Sequence, residues 1–356
     1  FIGILLSQSV PGAHDEIAWP LSYRVSLDVA MEEIWVVNVL KSIILFICIS
    51  IGVMAMDFFI NKNKIRILLC TTGLSILLTP ITIFLLSVEA YPLTYITPSV
   101  PYSAISVSNG KKVYRNFCIS CHGHSGLGDG PEADNIEGLP PANLTEPHTA
   151  YHTAGDLYWW LSYGKPPSAM PGFNETLSED ERWDVINFLR TLSAGYEGRI
   201  ISETIIPNKP WLPAVDFDYV TLKNKTGRLS QYRGKKFVIL ILHNINNKNI
   251  NRLKELNNIY KKIQNINGVI LIAPNFNNYK GNHKEILKNL TLLTNKFQVI
   301  YEGYDEIIET YNLYRRTLSN PDIYDNNEYS DYIEFVIDKY GYVRSKHIPN
   351  SKNITK

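Results

Sequence analysis

Residues 118–122 read Cys118-Ile119-Ser120-Cys121-His122, two thiols three positions apart with an imidazole directly after the second. A C-x-x-C-H run is what covalent attachment of a c-type haem requires: the thiols add across the two vinyl groups, and the adjacent histidine is then held under the iron. Two other chemistries use a C-x-x-C pair. A closed zinc site needs two further Cys or His ligands at suitable spacing, and the remaining cysteines, Cys48 and Cys70, lie inside apolar runs. A thioredoxin-like redox pair should follow a buried strand, whereas residues 113–117 follow Ser108-Asn109-Gly110-Lys111 and carry a helical pattern. The run therefore predicts haem c as cofactor, attached at Cys118 and Cys121, with His122 as proximal iron ligand. In bacteria that attachment takes place outside the cytoplasmic membrane, so the motif also predicts a compartment.

The flanks extend this. Gly110-Lys111-Lys112-Val113-Tyr114 leads into Cys118, and Gly123-His124-Ser125-Gly126-Leu127-Gly128-Asp129-Gly130-Pro131 follows the histidine. Further on come Gly155-Asp156-Leu157-Tyr158-Trp159-Trp160-Leu161 and the Pro-flanked loop Pro166-Pro167-Ser168-Ala169-Met170-Pro171-Gly172-Phe173. Helix, haem motif, Gly-rich loop, aromatic helix and methionine loop resemble class I cytochromes c in that order. The resemblance implies an all-α domain over residues 104–197 with Met170 as the distal iron ligand; a methionine is otherwise most often core filler. His124, His148 and His152 are alternative distal ligands that Met170 makes unnecessary, and are read as surface or pocket residues. Ser178 is a candidate N-cap with Glu179, Asp180 and Glu181 in the first turn, and Trp183, Ile186, Leu189 and Leu192 recur at helical spacing. That face is expected to pack on the N-terminal helix.

Ahead of this domain, residues 1–90 read as a membrane segment. The apolar runs 34–60 and 67–88 each meet the requirement of about 20 residues for crossing a bilayer. Lys41, near one end, can snorkel. Asn61-Lys62-Asn63-Lys64-Ile65-Arg66 between them is a short basic loop that the positive-inside rule places in the cytoplasm, leaving both outer ends in the periplasm, where haem c is attached. Residues 1–7 are rich in Ile and Leu and are expected to close an earlier span of a longer protein. Pro11-Gly12-Ala13-His14-Asp15, Trp19-Pro20-Leu21-Ser22-Tyr23-Arg24, the span pair and Glu89-Ala90-Tyr91-Pro92-Leu93-Thr94-Tyr95 resemble the last part of copper-resistance D family membrane proteins with a fused cytochrome c. The resemblance implies a link to copper handling. No copper site follows from the residues themselves: His14 is a single imidazole, and Met54 and Met56 flank Ala55 within a span. Residues 91–103, with Pro92, Pro98 and Pro101, read as a stiff extended linker.

Residues 198–216, with Pro207, Pro210 and Pro213, mark a second linker, and from 217 to 350 strands alternate with helices. Strand runs are expected at 237–242, 268–273, 298–301, 332–337 and 343–347, and helices at 251–263, 283–295 and 305–314. The order, with Arg233-Gly234-Lys235 before the first central strand and Asp338-Lys339-Tyr340-Gly341 in the last hairpin, resembles thioredoxin-like proteins of the peroxiredoxin and Sco kind. Where those families carry their cysteines this chain has His243-Asn244-Ile245-Asn246-Asn247, and no cysteine follows Cys121. Thiol exchange and thiol peroxidase chemistry need a thiolate and are excluded from this domain. His243, His283 and His347 leave an imidazole metal site open beside the reading as a docking or structural domain, one whose removal is expected to leave the haem domain intact.

The fold class is thus multidomain: an α-helical membrane segment, an all-α class I cytochrome c and an α/β thioredoxin-like domain without cysteines. The formal net charge of +1 argues against a nucleic-acid footprint. The function expected is one-electron transfer by a monohaem cytochrome on the periplasmic side of a bacterial inner membrane, as a carrier or electron-relay subunit rather than a stand-alone enzyme. Its partners are periplasmic or inner-membrane redox proteins, within a larger respiratory or copper-linked complex. A copper transport or homeostasis protein with an accessory haem domain is the alternative.

Overall fold

A computed structural model describes residues 23–25, 34–61, 64–146, 148–205, 212–244, 250–265, 267–275, 297–318 and 332–349. His14, residues 1–7, 11–15 and 19–22, Lys62, and the helix expected at 283–295 with its His283 lie outside the described residues. The chain divides into two compact units, residues 1–97 with 150–166, and residues 98–149 with 167–356.

In the first unit, α1 (Ile34–Asn61) and α2 (Lys64–Leu85) follow β1 (Tyr23–Val25). Trp35–Met56 within α1 is long and apolar enough to cross a membrane; the apolar part of α2, Leu69–Leu85, is shorter. Their large apolar side chains point outward, with Ile44, Leu45, Leu69 and Ile76 all at least 60% exposed, a surface that water would not favour. Val36 and Leu85 are buried against each other's surroundings, with Leu40, Ile43, Leu86 and Val88 packed on them. The second apolar run stops being helical at Leu85, three residues before its expected end. Its next residues form β2 (Ser87–Glu89), which pairs antiparallel with β1, so their backbone groups serve a ladder instead of a helix.

The stretch expected to be extended after residue 91 opens with turns. Thr94 N donates to Tyr91 O at 3.0 Å and Ile96 N to Leu93 O at 2.9 Å. The Thr94 hydroxyl accepts from Tyr91 N at 2.7 Å and donates to Asp156 Oδ1 at 2.5 Å. Asp156 lies in α5 (Ala154–Tyr163), whose start carries a reciprocal Thr153–Asp156 capping box. Gly155 lets α5 come against this turn, because a Cβ there would stand 1.8 Å from Leu93 O. Tyr91 stacks beside Trp159, centroids 6.0 Å apart.

The second unit combines α3 (Ala104–Phe117), the single turn α4 (Ile119–His122) and α6 (Glu179–Glu197) with an eight-stranded mixed sheet. α6 starts at Ser178 as its sequence predicts, in a capping box with Glu181. It crosses α3 at Gly110, where a Cβ would lie 1.9 Å from Asp184 O. Tyr114 and Phe188 meet beside the crossing, centroids 5.1 Å apart. Ser106 Oγ donates to the buried Asp184 Oδ1 at 2.6 Å and accepts from Asn187 Nδ2 at 2.8 Å. Trp183, Ile186 and Leu192 are buried, and Leu189 packs on the core that contains Leu192.

The sheet strands are β3 (Leu212–Pro213), β4 (Asp218–Thr221), β5 (Thr226–Arg228), β6 (Phe237–Asn244), β7 (Gly268–Asn275), β8 (Gln298–Glu302), β9 (Tyr332–Ile337) and β10 (Tyr342–His347). They lie in the order β3-β10-β9-β6-β7-β8-β4-β5, with β6, β7 and β8 parallel and their flanks antiparallel. Helix α7 (Ile250–Asn265) connects β6 to β7, and α8 (Tyr304–Tyr311) follows β8. β6 is a near-continuous apolar run because both of its faces are covered. Val238, Leu240 and Leu242 belong to one core, and Ile241 to another with Leu253, Leu256, Ile270 and Ile272.

Helical part and sheet share one hydrophobic core. Ala104, Val107, Tyr114, Phe188 and Leu192 are buried in the same cluster as Val215, Phe217, Leu240, Tyr311 and Phe335. Ala104 N donates to Asp216 O at 2.8 Å, Thr310 Oγ1 donates to Ala104 O at 3.2 Å, and the Ser108 hydroxyl bonds the Glu309 carboxylate. The end of the expected second linker takes part: residues 212–213 are β3, paired with β10, and Ala214 N donates to Gly341 O at 2.9 Å.

Candidate haem site

α3 ends at Cys118, whose N–H still bonds Tyr114 O at 2.9 Å. One further turn carries the rest of the motif, with His122 N donating to Cys118 O at 2.9 Å. Gly123, at φ 73°, ends that turn in a conformation that favours glycine. The loop after it folds back on the motif: Gly128 N bonds His122 O at 3.0 Å, Gly130 N bonds Cys121 O at 3.1 Å and Glu132 N bonds Ser120 O at 2.8 Å. Gly130 is needed for that approach, since a Cβ would stand 2.3 Å from Ser120 O.

The imidazole of His122 is half-buried, with Nδ1 3.0 Å from Ala142 O. A carbonyl can only accept, so Nδ1 carries the proton and Nε2 keeps its lone pair for a metal. Burial pushes the His122 pKa down, against the opposing pull of the Ala142 bond, and the neutral form is the one that ligates iron. Cys118 and Cys121 are both free thiols. Burial, and then the neighbouring Cys121, push the Cys118 thiol up to about 12, far from the depressed value of a reactive redox cysteine. The pair also follows a helix rather than a strand.

Met170 is half-buried in the loop before α6, its N–H 3.4 Å from Ser168 Oγ. Three residues on, Phe173 meets Phe117 edge to face, centroids 6.3 Å apart, and Phe117 directly precedes Cys118. The methionine loop and the cysteine motif are thereby tied to the same end of α3. His124 is exposed. His152 packs against the Trp160 ring in the other unit, centroids 4.6 Å apart, and the side chain of His148 lies outside the described residues. In the sheet, buried His243 stacks on Tyr332, centroids 6.3 Å apart, while His347 Nδ1 is 2.6 Å from Glu203 Oε1. Among the described residues no group of three or more His, Cys, Asp or Glu side chains is placed to hold a metal ion.

Two free thiols, a neutral imidazole with Nδ1 engaged, and a thioether tied to the same helix end are a donor set that fits a c-type haem. The Ala142 carbonyl and the Phe117–Phe173 contact were outside the sequence expectations. A backbone acceptor carries no side-chain signature, and a contact between residues 56 positions apart needs the fold.

Residues 107–193 match the family model of cytochrome c. No curated protein matches the chain significantly. Among solved structures, the chain is similar to a Kuenenia stuttgartiensis reducing HAO-like protein complex at 32% identity, over 30% of this chain and 51% of that one, with a TM-score of 0.25. It thus spans about half of that structure's chain. It is also similar to the thioredoxin domain of a thiol-disulfide oxidoreductase from Bacteroides vulgatus (10% identity, 42% and 89% covered, TM-score 0.29). A third similar structure is a member of the Sco family of cytochrome c oxidase assembly proteins (13% identity, 41% and 87% covered, TM-score 0.31). Residues 107–193 are a cytochrome c domain, whose cofactor is covalently bound haem c and whose chemistry is electron transfer.

Proposed function

We propose that this protein is a membrane-anchored monohaem cytochrome c that passes single electrons between redox partners on the periplasmic side of a bacterial inner membrane. It acts as a carrier or as the relay part of a larger respiratory or copper-linked membrane complex. Haem c, when bound, supplies a ferric/ferrous couple whose potential depends on its axial ligands and on burial. Cys118 and Cys121 attach it, and His122 and Met170 are the axial ligands. The thioether of Met170 favours ferrous iron, and the His122 side is made rigid by the loop that folds back on residues 120–122. The observation that carries this assignment is the 3.0 Å contact from His122 Nδ1 to Ala142 O, which orients the ring and leaves Nε2 for iron.

Anchoring is supported by the 22-residue, largely apolar segment Trp35–Met56 and by its outward-facing apolar side chains. Lys62, Lys64 and Arg66 favour the cytoplasm for the connection between α1 and α2, which leaves Tyr102 and the haem domain outside. The sheet domain keeps a thioredoxin-like order but has His243 and Asn244 at the end of β6, where a thiol would be needed for exchange chemistry. Its role is to hold the haem domain and to dock partners.

A potentiometric titration of the purified chain tests the assignment. A single one-electron wave, a weak far-red sulfur-to-iron band in the ferric protein, and loss of that band with a lowered potential in Met170→His are expected. An unchanged band in that variant assigns the distal ligand elsewhere. A periplasm-only reporter fused after Tyr102 should be active, and one at Lys62 silent; the reverse pattern would overturn the orientation.

A further inference from the structure

Arg316 follows the sheet domain's short turn Asn312–Arg315 and is 1% exposed, among the largest fully buried side chains of the described residues. Its guanidinium leaves its own domain. Nη1 donates to Leu192 O at 3.2 Å, near the end of α6, and Nη2 is 3.5 Å from Ser125 O, in the loop that follows His122. Tyr196 lies alongside, its ring centroid 5.9 Å from the guanidinium carbon. The backbone behind Arg316 is fixed in turn: buried Lys346 on β10 donates to Gly198 O and Tyr314 O, each at 3.0 Å, and also bonds Arg316 O.

The Ser125 end of this contact leads directly to the imidazole. Gly126 packs so closely on α6 that a Cβ would stand 2.6 Å from Leu192 Cδ2, the residue whose carbonyl Arg316 also holds. Gly126 O accepts from Leu144 N at 2.7 Å, and two residues before Leu144 the Ala142 carbonyl accepts the hydrogen bond from His122 Nδ1. An arginine stays charged in any protein environment, so this contact also places a permanent cation inside the haem domain.

We propose that Arg316 is a positioning residue for the haem: delivered from the C-terminal sheet, it pins the loop that orients His122 and raises the reduction potential by placing a buried positive charge on that side. This rests on His122 being the iron ligand. A cation disfavours ferric iron more than ferrous, and in an interior of intermediate dielectric a unit charge a haem-width away changes such an equilibrium by about fivefold. The sheet domain, far along the chain, thereby acts on the redox centre as well as supporting it.

The test uses the full haem-loaded chain with Arg316→Lys, which keeps the charge, and Arg316→Gln, which keeps a donor without it. Arg316→Gln should shift the ferric/ferrous equilibrium about fivefold toward ferric, and Arg316→Lys by clearly less, at unchanged haem content. If both variants keep the parent potential, or if Arg316→Lys shifts it as much as Arg316→Gln, the proposal is overturned, whatever happens to thermal stability. The ligand assignment is checked separately with His122→Gly and added imidazole. Failure of imidazole to restore the six-coordinate spectrum removes His122 as ligand, which the Arg316 potentials alone would not do.

Discussion

Phe117 and Phe173 meet edge to face with their centroids 6.3 Å apart, one directly before Cys118 and the other three residues after Met170. The contact links the two sides of the proposed haem site through the protein alone. Such a pair contributes about 0.5–1.5 kcal/mol beyond its buried area. Phe173→Ala should therefore loosen the methionine loop without touching a ligand. The expected result is a weakened far-red band and a partial high-spin spectrum in the ferric protein, while haem content stays at the parent level. A wholly low-spin, parent-like spectrum would show that the contact does not hold Met170 in place.

Gly110 is where α3 and α6 come closest, and a methyl group there would stand 1.9 Å from Asp184 O, a backbone atom that cannot swing aside. Gly110→Ala should cost roughly 2–4 kcal/mol, because the helices must separate and the Ser106–Asp184–Asn187 bonds stretch with them. Equilibrium denaturation of the haem-loaded variant measures this. A cost under about 0.5 kcal/mol, the range of a neutral surface change, would contradict the crossing.

Lys346 is buried, and desolvation pulls its amine from 10.5 down to about 7. Below pH 7 the folded and unfolded chains both keep the proton. Between about 7 and the unfolded value near 10.4 the unfolded chain holds it more often than the folded one, so stability gains from rising pH across that window. Chemical denaturation at pH 7 and pH 9.5 should show this gain in the parent protein and not in Lys346→Met. That variant should also lose roughly 1–3 kcal/mol at pH 7 from the carbonyls left without a donor. Equal slopes in the two proteins would exclude Lys346 as the group responsible.

The sequence suggests that the sheet domain can be removed without harm to the haem domain, and the structure points the other way. Ala104, Val107, Tyr114 and Leu192 are buried in the same core as Val215, Phe217 and Tyr311, and Arg316 reaches Leu192 O. Deleting residues 212–356 would expose that face, several buried apolar side chains at about 1.5–3 kcal/mol each, against a typical net stability of about 5–15 kcal/mol. The truncated chain should lose its cooperative thermal transition. A sharp transition near that of the parent, followed by circular dichroism, would mean the halves fold independently.

What the sequence made legible follows from local physics. The Ser178 cap and the buried β6 run are each encoded within a few residues, and each has its counterpart in the structure; the cysteine-histidine run is as local, and lies within the residues that match cytochrome c. The end of α2 was not, because Leu86 and Val88 continue its apolar run, and it is pairing of Ser87–Glu89 with Tyr23–Val25 that takes the chain out of the helix. Nor was the shared core: the helical period of residues 183–192 tells that a face is buried, not which element covers it. Arg316 was invisible for a related reason, since its contact with Ser125 joins residues 191 positions apart.

Covalent attachment is the central claim, and denaturing electrophoresis tests it most directly. The chain, produced in cells with a working c-type maturation system, should carry a peroxidase-active haem band after boiling, and Cys118→Ala with Cys121→Ala should abolish it while the polypeptide is still made. Haem that leaves the unmutated chain on denaturation, or a band that survives the double substitution, would contradict the account.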